Sequence, residues 1–145
     1  MGSPAKEPNF IKLMFGEGES GWAIDLEDGT AEINNVPLEG RLNLGDVVKI
    51  EKVDSIDHRG PVSFRKAGEL VRRKYAFKTG FEYEADKEVA QKIADAARAL
   101  GWHAEGMVLG MMMLARPAGS TMDELKAKIG GIELRNIQEC LEVPS

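Results

Sequence analysis

Through the first 66 residues, apolar and polar side chains alternate in short runs that turn-forming residues separate. The clearest run places Trp22, Ile24 and Leu26 on one face of a strand, because side chains two residues apart share a face. Asp28 and Gly29 follow this run, and glycine readily adopts the positive φ that a tight hairpin turn needs. The stretch therefore predicts a β-meander.

Four similar runs surround the Trp22 strand. They span residues 9–15, 31–33, 47–53 and 62–65. Five short strands at close spacing favour a small closed or half-closed barrel, because closure removes exposed strand edges. We therefore expect residues 9–66 to form a small antiparallel β-barrel-like lobe. In this lobe the Trp22 face of its strand is expected to point inward, and Ala31 and Ile33 continue the inward pattern. Residues 1–8 are expected to be a disordered leader ahead of this lobe.

Helical spacing becomes visible after residue 67. Asp86 is placed to cap a helix that Gly101 ends, and Ile93 lies in the middle of the apolar stripe of that helix. Residues 121–124, Thr-Met-Asp-Glu, match a capping box, in which a threonine and a glutamate satisfy each other's free backbone N–H groups. The C-terminal half is therefore expected to contain two helices.

Three strands are predicted around these helices. They are residues 71–77, the apolar run 107–115 that Pro117 terminates, and residues 132–141, for which a strand and a continued helix both remain open. The methionines of this region are interpreted as core packing; they are Met107, Met111, Met112, Met113 and Met122. A β-α-β-α-β order predicts a ferredoxin-like lobe over residues 67–145. The predicted class is α+β, with both lobes packed as one compact unit.

Composition excludes several classes of protein. The longest apolar run has nine residues, whereas a membrane-spanning helix needs about 20, so we expect no membrane association. The single Cys140 cannot form an internal disulfide, and no secretory signal is visible, so a cytoplasmic location is expected. With two histidines and one cysteine, the chain is expected to hold no metal and no cofactor.

The net charge of −5 is unevenly distributed. Residues 41–78 carry ten basic and five acidic side chains, whereas residues 1–40 carry two basic and eight acidic ones. A basic segment beside an acidic one is compatible with a surface for electrostatic docking and with a simply solvated face, and the second is the more frequent case. The candidate binding residues are Arg65, Lys66, Arg72, Arg73 and Lys74, together with Asp57 and His58 in the preceding loop. Asp25 and Glu27 are the acidic candidates, on the exposed side of their hairpin.

One motif suggests chemistry but has a structural explanation. Residues 16–21 match the glycine pattern of dinucleotide-binding loops. Such loops need a helix directly after the glycines, whereas Trp22 begins a strand, and Glu17 and Glu19 would repel a phosphate. The acidic hairpin also lacks the ligand spacing of a calcium loop. No catalytic residue and no metal ligand is therefore predicted.

Several short motifs carry a resemblance. They are Gly21-Trp22, Leu26, Gly29, Asn35-Val36-Pro37 and Leu44-Gly45-Asp46-Val47-Val48, followed more faintly by Gly101, Pro117, Leu125 and Gly131. Through this W-x-x-x-L-x-x-G, N-V-P and L-G-D-x-V pattern, the chain resembles a small bacterial family of domains of unknown function. The resemblance implies a free-standing bacterial cytoplasmic protein with a β lobe and a β-α-β lobe. It implies no catalytic residue, because each matching residue has a folding role.

Uneven charge without catalytic groups favours a non-enzymatic protein-binding module of regulatory or immunity type, as a monomer or a weak homodimer. One alternative is a small-molecule binder or hydrolase that uses a cleft between the lobes, with Asp57, His58 and Glu105 as its polar groups. Another is a single-stranded nucleic-acid binder that uses the basic segment with Tyr75 and Phe77. A sequence pI of about 5.2 disfavours nucleic acid.

Overall fold

A computed structural model describes residues 9–16, 19–38, 40–52 and 64–141 of the chain. The chain divides into two units, Met1–Arg73 and Lys74–Ser145. The first contains a closed five-stranded barrel and the second a four-stranded sheet with two helices. The predicted α+β class, with a barrel-like lobe before a ferredoxin-like one, is therefore confirmed.

The barrel is a meander that closes on itself. Its strands are β1 (Phe10–Gly16), β2 (Glu19–Asp25), β3 (Thr30–Ile33), β4 (Val47–Glu51) and β5 (Phe64–Arg72). Successive strands pair antiparallel, whereas β1 and β5 pair parallel. An odd number of strands requires this, because the first and last strands of a five-stranded meander run in the same direction. The closed barrel leaves no sheet edge exposed.

Small and medium apolar side chains fill the barrel. Leu13, Ala23, Ala31 and Val48 are completely buried. Because Ala23 points inward, Trp22 points outward and is 42% exposed. The expected continuity of one inward face from Trp22 to Ala31 is therefore wrong. A five-stranded barrel has a narrow interior, and alanine fills it at positions where a tryptophan would overpack it.

The strand that closes the barrel is longer than predicted. β5 continues without interruption to Arg72, and the next strand begins only at Phe77. The predicted strand 71–77 is therefore wrong: its first two residues end β5, and a connection of four residues follows. The alternation of side chains continued through this connection in the sequence, which concealed the end of the strand. Val62 lies outside the described residues.

The second unit has the element order β-α-β-β-α-β. Its elements are β6 (Phe77–Glu82), α1 (Lys87–Ala99), β7 (His103–Gly106), β8 (Met111–Arg116), α2 (Met122–Ile129) and β9 (Arg135–Glu139). The sheet order is β7-β8-β6-β9, and each neighbouring pair is antiparallel. This is the split β-α-β arrangement of ferredoxin-like domains. Strand β7, which has only four residues, was not predicted from the sequence.

Local signals predicted both helices. Asp86 accepts hydrogen bonds from the backbone N–H groups of Glu88 and Val89, and Gly101 follows α1 with a φ of +82°. Thr121 and Glu124 form the expected capping box. Ile93 and Leu125 are completely buried in the core of this unit.

The structure shortens the predicted strand 107–115 and decides between the strand and the helix that were open for residues 132–141. The apolar run 107–115 becomes a strand only from Met111 onward, and residues 107–110 form the turn of the β7–β8 hairpin. Met107 and Met111 are exposed, so their interpretation as core packing is wrong. The open segment 132–141 contains strand β9 and not a continued helix. Among the described residues, no helix is long and apolar enough to cross a bilayer.

Candidate functional site

Exposed and half-buried side chains, most of them apolar, cover the outside of the barrel on β1, β2 and β5. We call this surface the aromatic face; it consists of Phe10, Lys12, Met14, Trp22, Ile24 and Phe64. Strand register places these residues together, since Lys12 lies opposite Trp22 on one side and opposite Phe64 on the other. Phe10 lies opposite Ile24 in the neighbouring row. Residues in register on adjacent strands project from the same side of a sheet.

The two most exposed aromatic side chains are diagonal neighbours. Phe10 is 46% exposed and Trp22 is 42% exposed. Together with Asn34 they line a shallow depression of about 400 Å³. The ammonium group of Lys12 lies 4.6 Å from the centroid of the Trp22 ring, within the range of a cation–π contact. The depression is therefore an apolar recess with a cation beside it.

Asn35 holds the backbone at Trp22. Its side-chain Oδ1 accepts a hydrogen bond of 2.8 Å from the backbone N–H of Trp22. The backbone N–H of Asn34 donates to the carbonyl oxygen of Trp22 at 2.9 Å. Gly21 leaves the space for this arrangement, because a Cβ there would lie 2.4 Å from Asn35 Oδ1. The Gly-Trp and Asn-Val-Pro motifs therefore contact each other and fix the strand that carries Trp22.

Charges of both signs border the aromatic face. Lys66 is exposed and lies in register with Met14 and, on the other side of β5, with Glu51. Glu32 lies in register with Ile24 on β3. An apolar centre with a charged border is the usual composition of a protein-binding surface.

The predicted basic residues fall into separate places. Lys66 lies next to the aromatic face, because it is in register with Met14 of β1. Arg65 is in register with the buried Leu13 and therefore projects from the opposite side of β5. Arg65 is half-buried and donates to the carbonyl oxygen of Phe64. Arg72 lies at the other end of β5 and is exposed. Of these three cations, only Lys66 therefore contributes to the same surface as the exposed aromatics.

Arg73 and Lys74 have neighbours of their own. The Arg73 guanidinium pairs with the buried carboxylate of Asp46 at 3.1 Å, so its charge is already compensated. The Lys74 ammonium lies 5.5 Å from the centroid of the Tyr75 ring. These two residues belong to different units of the chain.

Of the polar groups of the hydrolase alternative, Glu105 alone lies in the described part of the chain. Asp57 and His58 lie outside the described residues. Glu105 on β7 contacts the ring Nε2 of His103 at 3.0 Å. Within residues 9–16, 19–38, 40–52 and 64–141, no group of three or more His, Cys, Asp and Glu side chains is arranged to hold a metal ion.

The aromatic face was not predicted from the sequence, because the face of β2 that carries Trp22 was expected to point inward. The signal that could have revealed it lies on the other face of the same strands. Gly21, Ala23 and Ala31 have the small side chains that a narrow barrel interior accepts. Taken together, they indicate that the larger residues between them point outward.

Comparison with known proteins supports the fold. No protein-family model and no curated protein matches this chain. A hypothetical protein from Neisseria gonorrhoeae, whose crystal structure is described as novel, is similar in structure with a TM-score of 0.57. The alignment covers 95% of this chain and 97% of that protein, at 14% sequence identity. Similarity at this identity shows a shared fold, and the resemblance to a bacterial family of unknown function stays a prediction.

Proposed function

We propose that this protein is a non-enzymatic binding module and that a protein partner docks on the aromatic face. The observation that carries the proposal is the pair Phe10 and Trp22, which lie side by side on the barrel with more than two fifths of each side chain exposed. Contiguous exposed apolar surface on a folded domain typically marks a site of interaction. A regulatory or immunity-type role is part of the proposal.

Trp22 is the expected centre of the binding energy. Tryptophan is enriched among the few residues that dominate the affinity of protein interfaces, and such residues lie at the middle of a surface that excludes water. The clamp by Asn35 holds the strand at Trp22 before a partner arrives, which lowers the entropy lost on binding. Lys12, beside the ring, offers a donor to a carboxylate or carbonyl oxygen of the partner.

The complementary partner has a definable chemistry. An apolar side chain would enter the depression between Phe10 and Trp22, where the Asn34 side chain supplies a hydrogen-bonding edge. An acidic group nearby would face Lys12 and Lys66. The border of the aromatic face carries positive and negative charges. Such charges fix the orientation of a partner more than they increase its affinity.

Site-specific crosslinking in the host cell tests this surface. A photoreactive benzoyl-phenylalanine in place of Phe10 preserves an aromatic side chain on the aromatic face, diagonal to Trp22. The matched control places the same residue at Leu38, which is 59% exposed but not part of the face. We expect one protein to be crosslinked from position 10, not from position 38, and not when Trp22→Ala is also present.

The Kd for the purified partner then shows whether Trp22 dominates the affinity. We expect Trp22→Ala to raise the Kd by about 100-fold, as for the central residue of an interface, and Leu38→Ala to change it less than about twofold. Equal crosslinking from positions 10 and 38, or a Kd unaffected by Trp22→Ala, contradicts the proposed surface.

Single-stranded nucleic acid is a second candidate because Trp22, Lys12 and Phe64 form an aromatic-cation-aromatic row across three strands. Bases stack on such rings, and lysines contact the phosphates. A protein partner is favoured because the Lys12 ammonium covers one face of the Trp22 ring. Binding of a labelled oligothymidine that weakens with salt and with Trp22→Ala would establish the nucleic-acid alternative; no binding removes it.

A further inference from the structure

A second exposed apolar surface lies in the ferredoxin-like unit, between α1 and the β7–β8 hairpin. We call it the helix–hairpin groove; its volume is about 370 Å³, and its lining includes Lys87, Ala90, Ala94, Arg98, Leu109 and Met112. It is distinct from the aromatic face, which belongs to the other unit.

The groove exists because α1 presents short side chains where the hairpin presents long ones. Ala90 and Ala94 are one turn apart and share a face of the helix. Opposite them, the hairpin projects Leu109, which is 51% exposed. Within the described part of the chain no element covers Leu109, and with Met112 it forms one wall of an open recess.

The hairpin wall is held in place at its base. The backbone N–H of Tyr83 donates to the carbonyl oxygen of Gly110 at 2.9 Å, and the N–H of Met107 donates to the carbonyl oxygen of Met111 at 3.1 Å. Gly110 has a φ of +100°, which lets the turn close. The groove is therefore formed before any ligand arrives.

Both charged residues that line the groove are basic. Lys87 and Arg98 lie at opposite ends of α1. They are 11 positions apart, which corresponds to about 16 Å along the helix axis because each residue advances a helix by about 1.5 Å. Among the residues that the structure describes, the Lys87 side chain has no hydrogen bond or ion pair, and the Arg98 side chain has one ion pair, to Asp95 at 3.9 Å. The groove thus offers an apolar middle with a positive charge near each end.

We infer that the helix–hairpin groove binds an acidic, apolar segment of a partner protein. Apolar side chains of the segment would pack on Ala90, Ala94 and Leu109, and carboxylates near its ends would face Lys87 and Arg98. The separation of the two cations matches a helical segment of about three turns, or an extended segment of about five residues. Helix-in-groove recognition of this type uses apolar anchors one turn apart.

Other occupants fit the groove less well. Two copies of this chain that paired α1 antiparallel about a two-fold axis would place Lys87 of one copy against Arg98 of the other, and like charges repel. An anionic lipid surface would meet Glu84, Asp86 and Glu88 next to Lys87, which cancel the attraction of a basic patch. A peptide, in contrast to a flat anionic surface, can place one carboxylate on each cation and keep its other groups away from these acidic side chains.

Selection from a library of displayed peptides of about 12 residues tests the inference with the full chain as bait. We expect enriched peptides to carry leucine, isoleucine or phenylalanine one turn apart between acidic residues. Synthetic enriched peptides are then measured by fluorescence polarisation. Substitution of their acidic residues with lysine is expected to abolish binding, and added salt is expected to weaken it.

Paired variants locate the site. Lys87→Glu and Leu109→Ser are each expected to raise the peptide Kd by about tenfold. The matched controls are Lys92→Glu, an exposed lysine of α1 outside the groove lining, and Val108→Ser, an exposed neighbour of Leu109 that does not line the groove. The controls are expected to change the Kd less than about twofold.

Three results would overturn the inference: no enrichment of acidic, apolar peptides, equal loss with Lys92→Glu and Lys87→Glu, or an affinity indifferent to Leu109→Ser. Concentration-dependent self-association that Leu109→Ser abolishes would assign the groove to a second copy instead. Sedimentation with phosphatidylserine vesicles that Leu109→Ser abolishes would assign it to a membrane surface. Trp22→Ala is expected to leave peptide binding unchanged, so this inference and the proposed role of the aromatic face fail separately.

Discussion

Arg73 forms a two-pronged ion pair with Asp46, 27 residues before it in the chain. Its Nε and one terminal nitrogen donate to the two carboxylate oxygens at 3.2 and 3.1 Å. The Asp46 side chain is completely buried, and its Oδ2 also accepts the backbone N–H of Asn43 at 2.8 Å. The pair ties the end of β5 to the turn that precedes β4. The Leu-Gly-Asp motif therefore contributes a buried anion to the barrel as well as a turn.

Loss of Arg73 is expected to destabilise the barrel. Arg73→Ala would leave the buried Asp46 carboxylate without its cation, which should lower the free energy of unfolding by about 3 kcal/mol. Arg72→Ala is the matched control: this neighbouring arginine is exposed at the end of β5, so its removal should change stability by less than about 0.5 kcal/mol. Equilibrium urea unfolding measures both. Equal effects would show that the ion pair contributes no net stability.

Gly21→Ala is expected to disturb the strand that carries Trp22. A Cβ at this position would lie 2.4 Å from Asn35 Oδ1 and 2.7 Å from the Phe15 ring. Asn35 would have to move and release the N–H of Trp22, at a cost of about 1–3 kcal/mol for overpacking. We expect the indole N–H resonance of Trp22 to shift and the urea midpoint to fall.

Gly131→Ala is the control for this substitution, because a Cβ there has no neighbour within 4 Å. It should leave stability unchanged within about 0.5 kcal/mol. An unperturbed Trp22 resonance in Gly21→Ala would show that Asn35 accommodates a methyl group without loss of its hydrogen bond.

Features set by neighbouring residues could be predicted from the sequence. The Asp86 cap and the Thr121 capping box depend on residues two or three positions apart, and both are present in the structure. The exposed position of Trp22 depends instead on how narrow the closed barrel is. The alternation of apolar and polar residues does not show this, and only the small residues Gly21, Ala23 and Ala31 indicate it. Strand β7 is too short for alternation to identify, and its pairing with β8 defines it. The aromatic face was missed because strand pairing creates it.

Asp28 supplies a pH-dependent contact at the β2–β3 turn. The side chain of Thr30 donates to its carboxylate, and this hydrogen bond lowers the pKa of Asp28 below its ordinary value of 3.8. A lowered folded-state pKa means that the contribution of this contact to stability is fully present above pH 3.8 and disappears as the pH falls through the folded pKa. The contribution is small because the carboxylate is exposed.

Thr30→Val tests this assignment. It removes the hydroxyl donor but keeps the backbone N–H that also donates to Asp28 at 3.0 Å. We expect the pKa of Asp28, followed by NMR of its side-chain carboxyl carbon, to rise toward its ordinary value without reaching it. An unchanged titration would show that the backbone donor alone sets the pKa.

Arg116 joins three elements of the second unit from an almost completely buried position. Its guanidinium donates to Thr79 Oγ1 at 3.1 Å, to the carbonyl oxygen of Ser120 at 2.8 Å and to Glu139 Oε1 at 2.6 Å. The Trp102 ring lies 5.5 Å away. Only 5% of the Arg116 side chain is exposed, whereas 47% of the Glu139 side chain is. Water can therefore solvate the anion of this pair but not the cation.

Because only the anion of the pair is solvated, removal of Glu139 is expected to lower the free energy of unfolding more than replacement of Arg116 by an apolar side chain. Glu139→Ala leaves a buried charge unpaired and should lower the free energy of unfolding by about 3–5 kcal/mol. Arg116→Met replaces the buried charge with an apolar side chain of similar length, and Thr79 can still donate to Glu139 at 2.7 Å, so we expect a loss of only about 1–2 kcal/mol. Gln138→Ala, exposed on the same strand, controls for changes in β9 itself. If urea unfolding shows Arg116→Met to be the more destabilising change, the guanidinium contributes more through its own contacts than its burial costs.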